Sequence, residues 1–113
     1  MEGCLFCKIG SGAIPAPHLH DDELCFAIAD IAPKAPVHLL VIPREHFSGP
    51  PEVSGGREKL LGHLVAVAAG LARQRGLEPE GYRLVLNSGI AAGQTVFHLH
   101  LHLLGGATLG AMG

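Results

Sequence analysis

Apolar positions along this chain fall into one long stretch with helical spacing and several short runs of the kind that form strands. Leu60, Leu61, Leu64, Val65, Val67, Ala68, Leu71 and Ala72 recur roughly every three to four residues. Arg73 and Arg75 close that stretch and Gly76 can stop it, which predicts one helix over about residues 57–75. A short helical turn is expected over Cys4 to Ser11. His18 to His20 and Leu24 to Asp30 flank the polar Asp21-Asp22-Glu23, a pattern that predicts a hairpin. Val37 to Ile42 is an apolar run ended by Pro43, Tyr82 to Asn87 is another, and Val96 to Leu104 is the last. Phe47 to Arg57 is rich in Gly, Pro and Ser and reads as a loop. Five strands with one main helix, mostly without helical crossovers, predict an α+β fold: a five-stranded antiparallel sheet with a helix on one face.

Composition narrows the class. The chain of 113 residues suits one domain spanning 1–113. A chain this short buries only about two-thirds of its unfolded surface, so a dimer that adds burial is expected to help. Hydrophobic residues make up 48% and charged residues 16%, which fits a packed domain and not a disordered one. The net charge of -2 argues against a nucleic-acid partner, which usually calls for a basic face. No apolar stretch of about 18 residues is present, so no membrane span is expected. Met1-Glu2-Gly3-Cys4 lacks the basic and apolar regions of a leader, and a cytoplasmic location is expected. With an odd count of three cysteines, Cys4 and Cys7 read as reduced thiols or metal ligands sooner than as a disulfide framework.

The candidate chemistry sits in the last apolar run, His98-Leu99-His100-Leu101-His102. Along a strand, alternate side chains share a face. His98, His100 and His102 then point one way, while Phe97, Leu99, Leu101 and Leu103 point toward the core. Successive imidazoles start about 7 Å apart, too far for easy mutual hydrogen bonds but close enough to surround a small anion. Imidazole titrates near neutral pH and can serve as nucleophile, acid or donor. A neutral ring can attack phosphorus, and its neighbours can donate to the phosphoryl oxygens as charge spreads over them. Three unconnected surface or core histidines, or a metal site built on His-x-His, are the competing explanations. The glycine-containing loop Asn87 to Thr95 leads into the run and can clamp a phosphate through free N–H groups and a hydroxyl.

His98-Leu99-His100-Leu101-His102-Leu103-Leu104 resembles the histidine triad signature, in which histidines alternate with apolar residues. Ile14-Pro15-Ala16, Ala29-Asp30-Ile31-Ala32-Pro33, Ala35-Pro36-Val37-His38, Val41-Ile42-Pro43, Gly93-Gln94-Thr95-Val96-Phe97 and Leu104-Gly105-Gly106 follow in that family's order. The Gly105-Gly106 ending resembles the nucleotide-binding (Hint) branch. The resemblance implies a homodimer with a continuous ten-stranded sheet and hydrolysis of purine nucleoside 5′-phosphoramidates, such as AMP linked to an amine. It implies His100 as the nucleophile that becomes nucleotidylated, His102 on the α-phosphate, and His38 and His98 in a supporting hydrogen-bond chain. Asp30 would hold the ribose hydroxyls with Ile31 beside the base. Asn87, Gly93, Gln94 and Thr95 would line the phosphate, the Thr95 hydroxyl helping to protonate the leaving amine. Phe6, Ile9 and Ile28 would form an apolar base pocket. Hydrolysis of dinucleoside polyphosphates, or a nucleotide-binding adaptor with incidental activity, are the alternatives. Ala107 stands where that branch commonly has Arg, and Leu109-Gly110-Ala111-Met112-Gly113 differs from the tail of its animal members, so the preferred amine is left open.

Cys4-Leu5-Phe6-Cys7 has the spacing of half a zinc site. Some bacterial triad proteins carry such a pair and complete a structural zinc site with two histidines. Those positions match His46 and His98 here, so the resemblance implies zinc on Cys4, Cys7, His46 and His98. His98 is then claimed by two roles. Cys25 is expected to be a small buried residue, and His18, His20 and His63, without a partner motif, are expected on the surface.

Overall fold

A computed structural model describes residues 3–112. Five strands, β1 (His20–Asp21), β2 (Cys25–Ala29), β3 (Val37–Pro43), β4 (Tyr82–Val85) and β5 (Leu101–Gly105), form one sheet in the order β1-β2-β3-β5-β4. Every neighbouring pair is antiparallel. Two α-helices, α1 (Leu5–Ser11) and α2 (Arg57–Gln74), and two short 3-10 turns (Pro50–Glu52 and Ile90–Ala92) complete the architecture of the described residues. The α+β class, the five antiparallel strands and the main helix are those predicted from the apolar pattern.

The helix α2 buries Leu64, Val67, Ala68, Leu71 and Ala72, the stripe that its sequence period marks out. They pack with Cys25, Ala27, Leu39, Val41, Leu99, Leu101 and Leu103 from one face of the sheet. Full burial of one such leucine stabilises the fold by about 1.5–3 kcal/mol. The alternate residues Phe26, Ile28, Leu40 and Ile42 lie on the other face, against Phe6 and Ile9 of α1. Both faces of the central strands are thus covered, and Leu39 to Ile42 of β3 read as a continuous apolar run for that reason. Cys4 caps α1 by accepting the Cys7 amide on its sulfur at 3.4 Å. Gly12 ends the helix with φ 86°, a left-handed geometry that favours glycine. Gly105 is closely packed: a Cβ there would lie 2.9 Å from Leu77 Cδ1, so the buried Leu77 side chain would have to shift.

The strand ends differ from the sequence expectation. The last strand begins at Leu101 and not at Val96. Leu101 pairs with Val41, so Leu99 would fall opposite Pro43, which has no N–H to offer. The Leu99 amide turns instead to the Phe47 carbonyl at 2.8 Å. Phe97 is consequently 45% exposed and not in the core, whereas Leu99, Leu101 and Leu103 are buried as expected. The hairpin forms, but β1 covers only His20–Asp21 and β2 only Cys25–Ala29. Asp22 Oδ1 accepts the Leu24 and Cys25 amides at 2.7 and 2.8 Å and tightens that turn. β4 stops at Val85, two residues before the expected end.

Candidate active site

Three imidazoles of the run and His38 meet at one side of the sheet, and backbone partners set which nitrogen of each carries the hydrogen. The Lys34 amide donates to His38 Nδ1 at 3.0 Å. His38 must then carry its hydrogen on Nε2, which donates to His102 Nδ1 at 2.9 Å. His102 is left with Nε2–H as a free donor. His100 Nδ1 donates to the His98 carbonyl at 2.8 Å, so its Nε2 keeps a lone pair. His98 Nε2 donates to the Pro43 carbonyl at 2.7 Å, which frees His98 Nδ1 as an acceptor.

Register explains the His38–His102 bond. Leu40 sits opposite His102 and His38 opposite Leu104, so the two histidines are diagonal neighbours on one face of β3 and β5. The His100 and His102 rings lie 5.0 Å apart between centroids. Phe6 stands edge-on to His100 at 5.0 Å and to His98 at 6.0 Å.

Burial lowers the His102 pKa to about 4, with His100 and His38 adding to the effect and Asp30 opposing it. Burial also lowers the pKa of His38, opposed by the Asp30 carboxylate, whose Oδ2 lies 3.5 Å from His38 Nε2. Both rings are therefore neutral near pH 7, which keeps the donor chain from Lys34 to His102 intact.

A cleft of about 300 Å³ opens beside these rings. His100, His102, Asp30, Ile31, Gly93 and Thr95 line its polar end, and Phe6, Ile9 and Ile28 its apolar end. Such a mixture of apolar walls and a few convergent polar groups suits a small organic ligand. Four more expected site residues lie outside the lining. His38 stands behind His102, and His98 is fully buried, supporting His100 through its carbonyl and not its ring. Gln94 is 5% exposed, with Oε1 accepting the Gly89 amide and Nε2 donating to the Ser48 and Val96 carbonyls. Asn87 Nδ2 donates to the Ala92 carbonyl. Gln94 and Asn87 thus brace the loop that carries Gly93 and Thr95. Leu40 and Val96 also line the cleft. Leu40 shares the His38 face of β3 by strand alternation, and neither it nor Val96 was singled out as a site residue by the sequence.

The Cys4, Cys7, His46 and His98 ligand atoms all lie within 4.8 Å of one another. Cys4 Sγ is 3.3 Å and Cys7 Sγ 3.6 Å from His98 Nδ1, Cys7 Sγ is 3.4 Å from His46 Nδ1, and the two Nδ1 atoms are 3.1 Å apart. A tetrahedral zinc ion with Zn–S near 2.3 Å and Zn–N near 2.0 Å has ligand-to-ligand edges of about 3.3–3.8 Å. The donor set therefore fits zinc. The Pro43 carbonyl, by taking the His98 Nε2 hydrogen, turns the His98 Nδ1 lone pair toward the thiols. The two claims on His98 are compatible, because ligation would use its ring and support of His100 uses its carbonyl.

Three histidines depart from the sequence expectation of unpartnered surface residues. His18 Nδ1 pairs with Asp21 Oδ2 at 2.7 Å, and His20 and His63 both bond Asp22. Asp22 reaches across from the hairpin to α2, a long-range contact that local spacing does not reveal.

A fold with one antiparallel sheet and alternating histidines over a small cleft defines the histidine triad class, and the chain belongs to the HIT domain family, whose model matches residues 11–109. It is 42% identical over 111 residues to the purine nucleoside phosphoramidase of Escherichia coli K12, covering 98% of this chain and 93% of that protein. A HIT family hydrolase from Clostridium thermocellum superposes with a TM-score of 0.95 at 45% identity, covering 99% of this chain and 97% of that one. A zinc-bound histidine triad family protein from Mycobacterium smegmatis superposes with a TM-score of 0.81 at 36% identity, covering 92% and 75%.

Proposed function

We propose that this chain, as a single histidine triad domain, hydrolyses purine nucleoside 5′-phosphoramidates with His100 as the nucleophile. The observation that carries the reading is the His100 Nδ1–His98 carbonyl bond, which leaves Nε2 as the free, basic nitrogen of a residue lining the cleft. Nε2 bonds to the α-phosphorus as the P–N bond breaks, and the departing amine nitrogen takes a proton, helped by the Thr95 hydroxyl. Water then breaks the N–P bond, releasing the nucleoside monophosphate and the free imidazole. His102 Nε2–H donates to the α-phosphoryl oxygens, and His38 holds it in that tautomer. Asp30 takes the ribose hydroxyls, with Ile31 beside the base and Phe6, Ile9 and Ile28 around it. Gly93 and Thr95 lie along the phosphate, with Asn87 and Gln94 bracing their loop. The name of the Escherichia coli relative supports this substrate class.

Cys4, Cys7, His46 and His98 would hold zinc, which when bound supplies a structural cross-link between the start of α1 and the histidine run. A homodimer would extend the sheet to ten strands through β4, the edge strand whose residues are all half-buried in the isolated chain. No helix among the described residues is long and apolar enough to cross a membrane. The three free thiols suit a reducing compartment, in keeping with a cytoplasmic enzyme that takes a nucleotide and no nucleic acid.

The test compares turnover of an AMP-amine phosphoramidate with that of a diadenosine polyphosphate, using wild type and His100→Ala. The proposal expects the phosphoramidate to be preferred and the variant to bind AMP without turnover. Preference for the dinucleotide would move the chain to the polyphosphate-hydrolase reading, and negligible turnover of both by wild type would favour a binding adaptor.

A further inference from the structure

We propose a second metal site, for a divalent transition-metal ion of the zinc kind, formed by His20 Nε2, Asp22 Oδ2, His63 Nε2 and Cys25 Sγ. It shares no residue with the Cys4–Cys7–His46–His98 cluster or with the cleft. The four ligand atoms lie within 4.8 Å of one another. Three of them converge on a single oxygen: Asp22 Oδ2 lies 2.6 Å from His20 Nε2, 2.7 Å from His63 Nε2 and 3.6 Å from Cys25 Sγ.

The ligands come from β1, the hairpin turn, β2 and α2, so the fold brings them together and not a local motif. Asp22 is oriented for the task. Its Oδ1 is occupied by the Leu24 and Cys25 amides, and the Arg44 Nε–H donates to its backbone carbonyl at 2.8 Å. That leaves Oδ2 aimed at the imidazoles, the arrangement by which outer partners fix a metal ligand. The His20, Asp22 and His63 side chains are 32%, 28% and 34% exposed, and Cys25 is fully buried beneath them. An ion can therefore enter from solvent onto the two imidazoles and the carboxylate, with the sulfur closing the inner position. Two nitrogens, one oxygen and one sulfur suit zinc or its neighbours and do not suit magnesium or calcium, which take oxygen ligands.

Without an ion, both imidazoles donate their Nε2 hydrogens to Asp22. On binding, each neutral ring carries its hydrogen on Nδ1 and offers the Nε2 lone pair. The buried Cys25 thiol, kept protonated by its surroundings, releases its proton to solvent, as coordinating thiols do. No electron transfer is involved. A bound ion would clamp α2 to the hairpin and raise the melting temperature by mass action.

The full chain, stripped with chelator and reloaded with Zn²⁺, is passed through gel filtration and its metal counted. His63→Gln, whose side chain is part-exposed on α2, should hold one ion per chain fewer than wild type while keeping the wild-type circular dichroism. Cys4→Ser/Cys7→Ser loaded with Co²⁺ should still show a thiolate-to-cobalt charge-transfer band, from Cys25. An unchanged metal count in His63→Gln, or a Co²⁺ spectrum without thiolate character in the double variant, overturns the site as described.

Discussion

Replacing Gln94 by alanine removes three hydrogen bonds made by one buried side chain. Oε1 accepts from the Gly89 amide at 2.8 Å, and Nε2 donates to the Ser48 carbonyl at 2.6 Å and the Val96 carbonyl at 3.2 Å. With Gln94 only 5% exposed, water can replace these partners poorly. At about 1 kcal/mol net for each bond, the loss is about 3 kcal/mol, more if the stranded groups stay dry. For a domain of about this size each kcal/mol lowers Tm by about 4–8 °C, so Tm should fall by about 12–24 °C. Calorimetry measures it. The loop carrying Gly93 and Thr95 also loses its brace, so kcat/KM on the phosphoramidate should fall even at temperatures where the variant is folded. Gln94→Met separates the causes, because it keeps most of the volume and loses the bonds. A fall of less than about 3 °C in the alanine variant, or full rescue by methionine, would show that the amide bonds contribute little to stability.

Other outcomes follow from single contacts. His102 is held at about 4 against an ordinary value of 6.5, so the unfolded chain takes up a proton first as pH falls. Its neutral form supports stability fully above pH 6.5, and that support is lost as pH drops toward 4, by on the order of 2–3 kcal/mol. Urea unfolding at pH 7 and near pH 4 should show the loss, and His102→Asn should reduce it; an equal loss of stability in wild type and variant would contradict the burial argument. Gly105→Ala places a Cβ 2.9 Å from Leu77 Cδ1 and should cost about 1–3 kcal/mol in denaturant unfolding. Gly110→Ala, with open space around it, should cost almost nothing by the same measurement. If the proposed zinc site is loaded, chelator should lower the Tm of wild type, and Cys7→Ser should show a smaller dependence on chelator because the proposed cross-link would be lost.

The sheet, the main helix and the histidine face were legible because they rest on local period. The apolar stripe from Leu60 to Ala72 and the buried Leu99, Leu101 and Leu103 needed only spacing to be found. The start of the last strand was not legible, because it depends on which residue of β3 falls opposite Leu99. That residue is Pro43, fifty-six positions away in the chain, and its missing N–H ends the ladder. Phe97 is exposed there, against the strand-based expectation. The Cys4–Cys7 pair was visible as spacing, and His46 and His98 only through the family pattern. The Asp22 clasp on His20 and His63 had no local signature, since it joins a hairpin turn to a helix forty-one residues later.

The central claim is that His100, held by the His98 carbonyl, carries the nucleotide between the two steps. Rapid quench of wild type in denaturant at alkaline pH, where a nucleotidyl-imidazole persists, during turnover of an AMP phosphoramidate, followed by intact-mass and peptide analysis, tests it. The account predicts a transient chain heavier by one nucleotidyl group, with the adduct on His100 and none in His100→Ala. An adduct on another residue, or phosphoramidate turnover by His100→Ala at the wild-type rate, would contradict it.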